Sequence, residues 1–397
     1  MKYLNKKNVR NMDIREKTIL LRCDLNVPLD AKFRITDTKR IDESLNTLKY
    51  LMDGGAKIVI CSHLGRPKGS FNKKYSLKPV AEYLTEVLGK EVLLTSDVAG
   101  ENTKEIINSL QFGEACLMEN LRFEPGEEKN DPEFSKKLAS LADIYINDAF
   151  GVCHRAHAST VGVTEYLPSG YGFLIEKEIK ILSEILENPK SPFVAILGGA
   201  KISDKIGVIN NLLEKIDVLI VGGGMSYTFT NALGYSVGKS ICESDKISLT
   251  RDIMAKAKDK GVKILLPVDN KVGKDFSENT ESKIVDADKI PDGWMGLDIG
   301  PKTIQNFSEA IKNASTIFWN GPMGVSEWKN FELGTKAVAE AVAASEAISV
   351  VGGGDTAAAV DKFDLSSKVT HVSTGGGASL QLLEGKDLPG LEALDDK

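Results

Sequence analysis

Arginine side chains are concentrated in the front part of this chain. Eight of the nine arginines precede residue 156, and only Arg251 lies beyond it. The guanidinium group is a planar fork of N–H donors that matches carboxylate and phosphate oxygens, so this composition is typical of an anion-binding site. Counts alone leave compositional drift between two domains as an equal alternative. The eight arginines are Arg10, Arg15, Arg22, Arg34, Arg40, Arg66, Arg122 and Arg155.

Glycine has the opposite distribution, because nine of the 36 glycines precede residue 156 and 27 follow it. Four clusters, LGGAKISDK, VGGGMSY, VGGGDTAAA and STGGGAS, each lie between a predicted strand and a predicted helix. Such a turn presents free backbone N–H groups and the positive end of a helix, which together stabilise phosphate. The back part of the chain therefore predicts a nucleotide site.

Three charged residues accompany these glycine turns. Lys201 and Lys205 are four residues apart and would share one face of a helix near its positive end. Asp355 follows Gly354 at a predicted helix start. Its carboxylate could cap that helix, bind Mg2+ beside a nucleotide phosphate, or do both.

Two other patterns look like functional motifs, and we interpret neither as one. The loop 234–240, GYSVGKS, is one residue short of the P-loop spacing and has no clear strand before it. The Cys153-His154 pair lacks a second cluster to complete four metal ligands. The glycine turns contain no GxGxxG, and the chain contains no HRD loop and no DFG, which disfavours a dinucleotide dehydrogenase and a protein kinase.

Short apolar, β-branched runs alternate with amphipathic helical stretches along the chain. This alternation predicts an α/β protein with two doubly wound parallel-sheet, Rossmann-like domains joined by a hinge helix. We expect domains at 1–170 and 189–380, an interdomain helix at 171–188, and a tail at 381–397 that returns to the first domain. The predicted strands are Thr18–Cys23, Lys57–Cys61, Glu91–Leu94, Ala115–Met118, Asp143–Ile146, Phe193–Leu197, Val218–Val221, Val262–Leu266, Thr316–Trp319, Ile348–Val351 and Val369–Val372.

Basic residues lie at or beyond the ends of four of the predicted strands of the front domain. Parallel strands end at the same edge of a sheet, and ligands bind in the crevice beyond those carboxyl ends. A solvated surface would not select that edge, so the placement favours an anion site over compositional drift. The residues are Arg22 with Asp24, His63 with Arg66 in SHLGRP, Arg122 in ENLRF, and His154 with Arg155 in NDAFGVCHRAH.

The overall composition of the 397 residues is that of a globular protein, with 42% hydrophobic and 27% charged residues and a net charge of -6. The charge argues against general nucleic-acid binding. No run of 18 apolar residues and no secretory signal are present, and the five cysteines are scattered. We therefore expect reduced thiols, no membrane partner and a cytoplasmic location.

Eight motifs occur together and in order: RCDLNVP, SHLGRP, ENLRF, NDAFG with HRAH, LGGAKISDKI, WNGPMGV, VGGGDT and STGGGAS. From about residue 18 to residue 385 the chain resembles the phosphoglycerate kinase family. The resemblance implies reversible transfer of a phosphoryl group between ATP and the carboxylate of 3-phosphoglycerate, which gives ADP and 1,3-bisphosphoglycerate. It also implies a monomer that uses Mg2+ and transfers the group in line after its domains close around a hinge.

The same resemblance implies a role for individual residues. Arg40 and Lys201 would stabilise the phosphoryl group in flight, with help from the amides at Gly375, Gly376 and Gly377. Asp355 would bind Mg2+, and Glu327 would bind the ribose. The implied acid-binding residues are Asp24, Leu25, Asn26, Arg40, His63, Leu64, Gly65, Arg66, Arg122 and Arg155, and the implied nucleotide-binding residues are Lys205, Gly296, Glu327, Gly353, Gly354, Asp355 and Thr356.

Two other functions compete with this interpretation. A kinase of the acetate or amino-acid type would not need so many arginines around its acid. A catalytically silent nucleotide-binding protein would be favoured if Arg40, Lys201 or Asp355 were replaced, and all three are present. The chain departs from the family at Leu45-Asn46-Thr47, Cys23 and Cys153, none of which is an implied ligand position.

Overall fold

A computed structural model describes residues 2–397 of the chain. The chain divides into two compact units, which we call unit 1 (residues 2–180 together with 387–397) and unit 2 (181–386). Each unit contains a parallel sheet of six strands with helices in its crossover connections. The prediction of two doubly wound α/β domains is confirmed.

The sheet of unit 1 has the strand order β3-β4-β2-β1-β5-β6, and every pairing is parallel. The central strands are almost fully buried because helices of the crossovers cover both faces, and their side chains are accordingly Ile, Leu and Val. The elements are β1 (Thr18–Arg22), α1 (Lys39–Asp53), β2 (Lys57–Cys61), α2 (Lys78–Leu88), β3 (Val92–Leu94), α3 (Glu101–Ser109), β4 (Ala115–Leu117), α4 (Pro132–Ala139), β5 (Ile144–Asn147), β6 (Ser169–Tyr171) and α5 (Phe173–Glu187), within which the two units meet in sequence.

Residues 387–397 pack on the beginning of the chain, inside unit 1. The Lys7 N–H donates to the Asp395 carbonyl over 2.8 Å, and the Leu388 N–H donates to the Tyr3 hydroxyl over 2.8 Å. Leu388, Leu391 and Leu394 are buried there. Burial of three leucines at about 1.5–3 kcal/mol each is sufficient to hold so short a segment in place.

The main sheet of unit 2 has the order β15-β14-β13-β7-β8-β9 and is also entirely parallel. The elements of unit 2 include four strands that run directly into a glycine at the carboxyl edge of the main sheet. The elements are β7 (Phe193–Leu197), α6 (Ile206–Leu212), β8 (Val218–Val221), α7 (Ser226–Ala232), α8 (Ile247–Asp259), β9 (Lys263–Leu265), β10 (Asp269–Gly273), β11 (Ser282–Asp286), β12 (Met295–Ile299), α9 (Pro301–Lys312), β13 (Thr316–Asn320), α10 (Leu333–Ala344), β14 (Ile348–Gly352), α11 (Gly354–Lys362), β15 (His371–Val372) and α12 (Gly376–Leu383); the final helix, α13 (Pro389–Glu392), belongs to unit 1.

The sequence did not predict a second, smaller sheet in unit 2. The strands β10, β11 and β12 form an antiparallel sheet in the order β11-β10-β12, with an irregular register between Lys271 and Val272. The strands read DNKVG, SKIVD and MGLDI; all three are short and contain charged residues, and two of them contain glycine. Residues of this kind have weak strand propensity, so the sheet depends on cross-strand pairing that local sequence does not reveal.

A buried carboxyl group lies where β5 is followed by the segment leading to α5. Asp148 is fully buried, and its Oδ1 accepts a hydrogen bond from the Ile175 N–H in the first turn of α5 over 3.1 Å. Its Oδ2 has no hydrogen-bond partner within residues 2–397. Burial raises the pKa of this carboxyl to about 7, so the group titrates near neutral pH.

Replacing Asp148 by asparagine is expected to flatten the pH dependence of the stability of unit 1. The pKa rises from 3.8 to about 7 on folding, so this carboxyl stabilises the fold fully below the lower value and loses that contribution as pH rises through the upper one. Urea unfolding of both proteins across this window, with Asp13→Asn as an exposed control, tests the effect. Parallel curves for the parent chain and Asp148→Asn would contradict it.

Candidate active site

In unit 1, the residues predicted to bind the acid lie at the carboxyl edge of the sheet. Arg22 is the last residue of β1, and His63 follows β2 by two residues. Arg122 and Arg155 lie beyond β4 and β5, which flank β2 and β1 in the sheet order. Neighbouring parallel strands thus bring four basic side chains to one edge of the sheet, as predicted from the sequence.

Arg40 extends from the first turn of α1 to the end of β1. Its Nη1 forms an ion pair with Asp24 Oδ2 at 2.6 Å. Asp24 is buried, whereas Arg40 remains partly exposed. Asp24 therefore orients the guanidinium group while leaving part of its donor fork available to a ligand.

His63 is held as a neutral acceptor by the arginines around it. Its Nδ1 lies 3.3 Å from Nη2 of Arg22, and a guanidinium group can only donate. Nδ1 must therefore accept, which leaves the proton on Nε2. Burial, followed by the charges of Arg22, Arg122, Arg155 and Arg40, holds the pKa of His63 well below its usual range. The ring can thus donate one neutral hydrogen bond from Nε2 to an acid ligand.

Arg122 is almost completely buried. Its Nη1 donates to the Gly65 carbonyl over 2.8 Å, and its Nε forms an ion pair with Glu128 Oε1 at 3.2 Å. Its Nη2 has no hydrogen-bond partner within the described residues. Burial lowers the pKa of the group, but an arginine stays protonated. A buried cationic donor without a partner is costly in free energy unless a ligand satisfies it.

The remaining acid-site residues form the wall of the crevice. Asn26 Oδ1 accepts from the Gly65 N–H over 2.8 Å, and the Leu64 carbonyl accepts from Asn120 Nδ2 over 2.6 Å. The Leu25 N–H donates to Ser62 Oγ over 2.9 Å. These bonds tie the segment after β2 to the segments after β1 and β4, so the loops present fixed backbone groups to the crevice.

Arg66 and Arg155 are the more accessible cations of this group. Arg66 is exposed, and Arg155 is partly buried with its Nε donating to His154 Nε2 over 3.1 Å. His154 therefore serves as an acceptor for the arginine beside it. Among residues 2–397, no group of three or more His, Cys, Asp or Glu side chains is arranged to hold a metal ion.

A buried polar layer beneath the arginines was not predicted. Arg22 is fully buried, and its Nε donates to Ser159 Oγ over 3.0 Å. Ser159 in turn donates to Glu127 through Oγ over 2.6 Å and through its backbone N–H over 3.1 Å. Glu127 is a fully buried carboxylate that balances the charge of Arg22. The only sequence signal for it was an acidic residue soon after the ENLRF motif.

In unit 2, the glycine turns come together at the carboxyl edge of the main sheet. The ends of β7 and β13 are so close that a Cβ on Gly198 would overlap the carbonyl oxygen of Pro322. Gly353 has φ +91°, a backbone conformation that residues with a side chain rarely adopt. A Cβ on Gly376 would lie 2.8 Å from the Cα of Gly353. Glycine is required because these backbones touch, and the result is a row of turns open to an anion.

The two lysines do not share a helix face as predicted. Helix α6 begins only at Ile206, so Lys205 is its N-cap and Lys201 lies in the preceding irregular segment. The Lys205 N–H donates to the Ile202 carbonyl over 2.8 Å, which closes a turn after the glycine pair and delays the helix. Lys201 is exposed, whereas Lys205 is partly buried.

Lys205 is directed at the end of β13. Its Nζ donates to Asn320 Oδ1. Burial lowers the pKa of Lys205, partly offset by the charges of Asp204 and Asp355. Asn320 Nδ2 is buried and has no partner among the described residues. Asn320, within the WNGPMGV motif, thus joins the candidate site although it was not singled out from the sequence.

Asp355 and Thr356 differ in role. Asp355 is the second residue of α11 and is exposed, and the N-cap position is Gly353, so the proposed capping role of Asp355 is wrong. Thr356 is buried, and its Oγ1 accepts from the Gly321 N–H over 2.7 Å. Asp355 therefore presents a free carboxylate near a positive helix end, and Thr356 fixes the neighbouring turn.

Gly296 and Glu327 lie on the side of the site formed by the antiparallel sheet. Gly296 belongs to β12, and the Tyr227 hydroxyl occupies the place that a Cβ would need. Glu327 is exposed on the loop after β13, which is bonded to β12 through the Val325 N–H and the Leu297 carbonyl over 2.9 Å. That loop joins the antiparallel sheet to the glycine turns.

The GYSVGKS loop makes hydrogen bonds to other segments of the same chain. The Lys239 N–H donates to the Trp294 carbonyl over 2.7 Å, and Ser240 Oγ accepts from the Gly296 N–H over 2.9 Å. The next helix, α8, begins only at Ile247. A P-loop leads directly into a helix and leaves its amides free, so this loop has a structural role.

Comparison with known proteins identifies one family. The profile of the family described as phosphoglycerate kinase matches residues 9–386. A phosphoglycerate kinase of Clostridium perfringens is 54% identical over 396 residues, 99% of each chain, and one of Clostridium tetani is 53% identical over 397 residues, 99% of this chain and 98% of the other.

Solved structures give the same result for the fold. The phosphoglycerate kinase of Coxiella burnetii superposes with a TM-score of 0.88 at 42% identity, and that of Pyrococcus horikoshii with a TM-score of 0.85 at 34% identity. Each comparison covers 98% of this chain and 98% of the other. Profile, sequence identity and fold agree over nearly the whole chain, which therefore belongs to the phosphoglycerate kinase family.

Proposed function

We propose that this chain transfers a phosphoryl group reversibly between ATP and the carboxylate of 3-phosphoglycerate, giving ADP and 1,3-bisphosphoglycerate, a step of glycolysis and gluconeogenesis. The observation that carries this proposal is the buried, unpartnered Nη2 of Arg122 within a cluster of arginines at the sheet edge. A carboxylate acceptor is already ionised at neutral pH, so no general base is needed. Positioning and charge neutralisation are then most of the catalytic task.

The acid ligand is bound in unit 1. Arg66, Arg122 and Arg155 bind its phosphate and carboxylate oxygens, and the neutral His63 donates one further hydrogen bond. Asp24 and Asn26 accept from its hydroxyl group, because Asp24 Oδ1 is buried and lacks a hydrogen-bond partner within residues 2–397. Leu25, Leu64 and Gly65 supply the backbone wall.

The nucleotide is bound in unit 2 with Mg2+. The turn Gly353–Thr356 and Lys205 contact the phosphates, Gly296 contacts the base side, and Glu327 binds the ribose. The exposed Asp355 beside a helix start fits a magnesium nucleotide, because Mg2+ is usually held by one or two carboxylates together with phosphate oxygens. When bound, the ion neutralises phosphate charge.

The transferred group is stabilised by cations and amides from both units. Arg40 and Lys201 neutralise its oxygens, and the N–H groups of Gly376 and Gly377 at the start of α12 donate to them. In-line transfer requires donor and acceptor atoms in contact, so the reaction includes a closing step that also excludes water from the acyl phosphate. Helix α5 is the hinge.

A coupled assay tests the activity directly. The purified protein is given MgATP with 3-phosphoglycerate, and with acetate or aspartate in place of the acid as controls. We expect turnover with 3-phosphoglycerate alone. No turnover on this acid, or faster turnover on a control, would overturn the proposal.

Replacing Asp355 by asparagine is expected to weaken productive binding of the magnesium nucleotide. The change removes one negative charge while keeping the size of an exposed side chain, so the fold should be unaffected. We expect the KM for MgATP and the Mg2+ concentration giving half-maximal rate to rise about tenfold or more, with the KM for 3-phosphoglycerate unchanged. Asp361→Asn at the other end of α11 is the control. An unchanged Mg2+ dependence would remove Asp355 from the metal site.

We also propose a monomer that works in the cytoplasm. Five cysteines are free, four of them buried, which suits a reducing compartment. Within residues 2–397, no helix is both long enough and apolar enough to cross a membrane. Sedimentation at several concentrations tests the monomer.

A further inference from the structure

Unit 1 contains a second cavity at the carboxyl edge of its sheet. Its volume is about 930 Å3, and Thr95, Ser96 and Glu119, which follow β3 and β4, contribute to its lining. The loop 29–38 and the segment 71–86 complete its walls. The crevice beyond parallel strands is where doubly wound sheets bind ligands, and the volume lies in the usual range for small-molecule sites. None of the residues assigned above to the acid site lines it.

Aromatic side chains line the cavity and remain open to solvent. Phe33 is 43% exposed and Phe71 is 67% exposed, although both are large apolar residues. Phe71 packs at its other side on Phe123, with ring centroids 5.1 Å apart. Phe33 has φ +61°, an unfavourable conformation for an aromatic residue that is tolerated more often at functional sites than elsewhere. Exposed rings around a concave surface suit a flat apolar ligand.

The charges around the cavity are unbalanced. Lys32, Lys73 and Lys74 line it, and their Nζ atoms form no ion pair with a carboxylate in the part of the chain that the structure describes. Two of the other lining cations have an acidic partner, because Arg34 pairs with Asp30 at 2.8 Å and Lys78 lies 3.8 Å from Glu82. Glu119 accepts hydrogen bonds from Ser76 and the Leu77 N–H, and neither Glu119 nor Glu86 has a cationic partner in the part of the chain that the structure describes. Three unpaired cations therefore face two unpaired carboxylates, and the excess positive charge favours anions.

We propose that this cavity is a binding site for a small amphipathic anion. The apolar body of the ligand contacts Phe33 and Phe71, and its acid group pairs with Lys32, Lys73 and Lys74. A smaller cavity of about 380 Å3 shares Phe33 and Lys74 as lining residues and is also lined by Asn26, Leu64 and Gly65 of the acid site. The new site is thus a neighbour of the acid site, but its own lining is separate.

Binding of anilinonaphthalenesulfonate tests the proposal, because this probe combines an aromatic body with an acid group and fluoresces in apolar surroundings. Titrations are done with saturating MgADP and 3-phosphoglycerate, which occupy the sites assigned above. We expect one saturable site, weakened about tenfold or more by Phe71→Ser and by the double change Lys32→Gln/Lys73→Gln. The neutral N-phenylnaphthylamine should bind about tenfold more weakly.

Phe112→Ser is the matched control. Phe112 is a 53% exposed phenylalanine of unit 1 that lies 5.5 Å from Lys57 Nζ, outside the cavity. Urea unfolding checks that each variant is folded, and if Phe71→Ser is not, the double lysine change decides. Unaltered affinity in the cavity variants, an equal loss in Phe112→Ser, equally tight binding of the neutral probe, or no saturable binding would each overturn the proposal.

Discussion

Replacing Arg40 by alanine is expected to lower kcat by about a hundredfold or more, because cations that neutralise a phosphoryl group in transfer have effects of this size or larger. Arg40 lies in the first turn of α1, its Nη1 is paired with Asp24 at 2.6 Å, and its side chain is partly exposed. The coupled assay with MgATP and 3-phosphoglycerate measures the effect. Arg34→Ala is the matched control, because Arg34 is exposed and pairs with Asp30 on the loop after β1.

The distribution of the effect between kcat and KM decides the role of Arg40. An interaction made only in the transition state lowers kcat, whereas one made equally in the ground state raises KM alone. If Arg40→Ala raised only the KM for 3-phosphoglycerate, the residue would bind the acid without assisting transfer. Arg40→Lys keeps the charge but loses the planar fork, and we expect it to recover only part of the rate.

The placement of the acid-site residues could be predicted because it depends on one simple rule. Alternating strands and helices indicate a parallel sheet, and residues that follow parallel strands lie at one edge. Arg22 lay at the end of a predicted strand, and His63, Arg122 and Arg155 followed three others. The structure places them at or beyond the ends of β1, β2, β4 and β5. Local sequence was enough to predict these locations, because each residue is positioned by the one strand at whose end it lies.

Features that depend on distant contacts were not predictable in this way. The antiparallel strands β10 to β12 form from short segments with charged residues, and their hydrogen bonds are made between strands. Lys201 was expected on a helix because its spacing to Lys205 is that of a helix. The chain instead turns at Gly198, where its backbone packs against Pro322, before the helix begins. Gly376 likewise meets Gly353 only when β15 lies beside β14. Tertiary contacts override local propensity at all of these positions.

Replacing Arg22 by methionine is expected to destabilise unit 1 by about 3–5 kcal/mol, because Arg22 and Glu127 are opposite buried charges linked through Ser159, and removal of one leaves the other uncompensated. Arg22 is fully buried, and its Nε is joined to Glu127 through Ser159 over 3.0 and 2.6 Å. Methionine fills similar volume, so most of the loss comes from the charge rather than from a cavity. Urea unfolding of the two proteins measures it, and a loss below about 1 kcal/mol would contradict the buried-pair interpretation.

The pH dependence of this variant separates the charge from the packing. Burial raises the pKa of Glu127 in the parent chain, and the charge of Arg22 opposes that rise. Without Arg22 the pKa rises further, so stability present below the unfolded-state pKa of Glu127 is lost as pH rises through its folded value. Arg22→Met should therefore be more destabilised at pH about 8 than at pH about 5. Adding Glu127→Gln removes the titrating group and should recover part of the stability at the higher pH, whereas a packing defect alone would be the same at both values and would not respond to the second change.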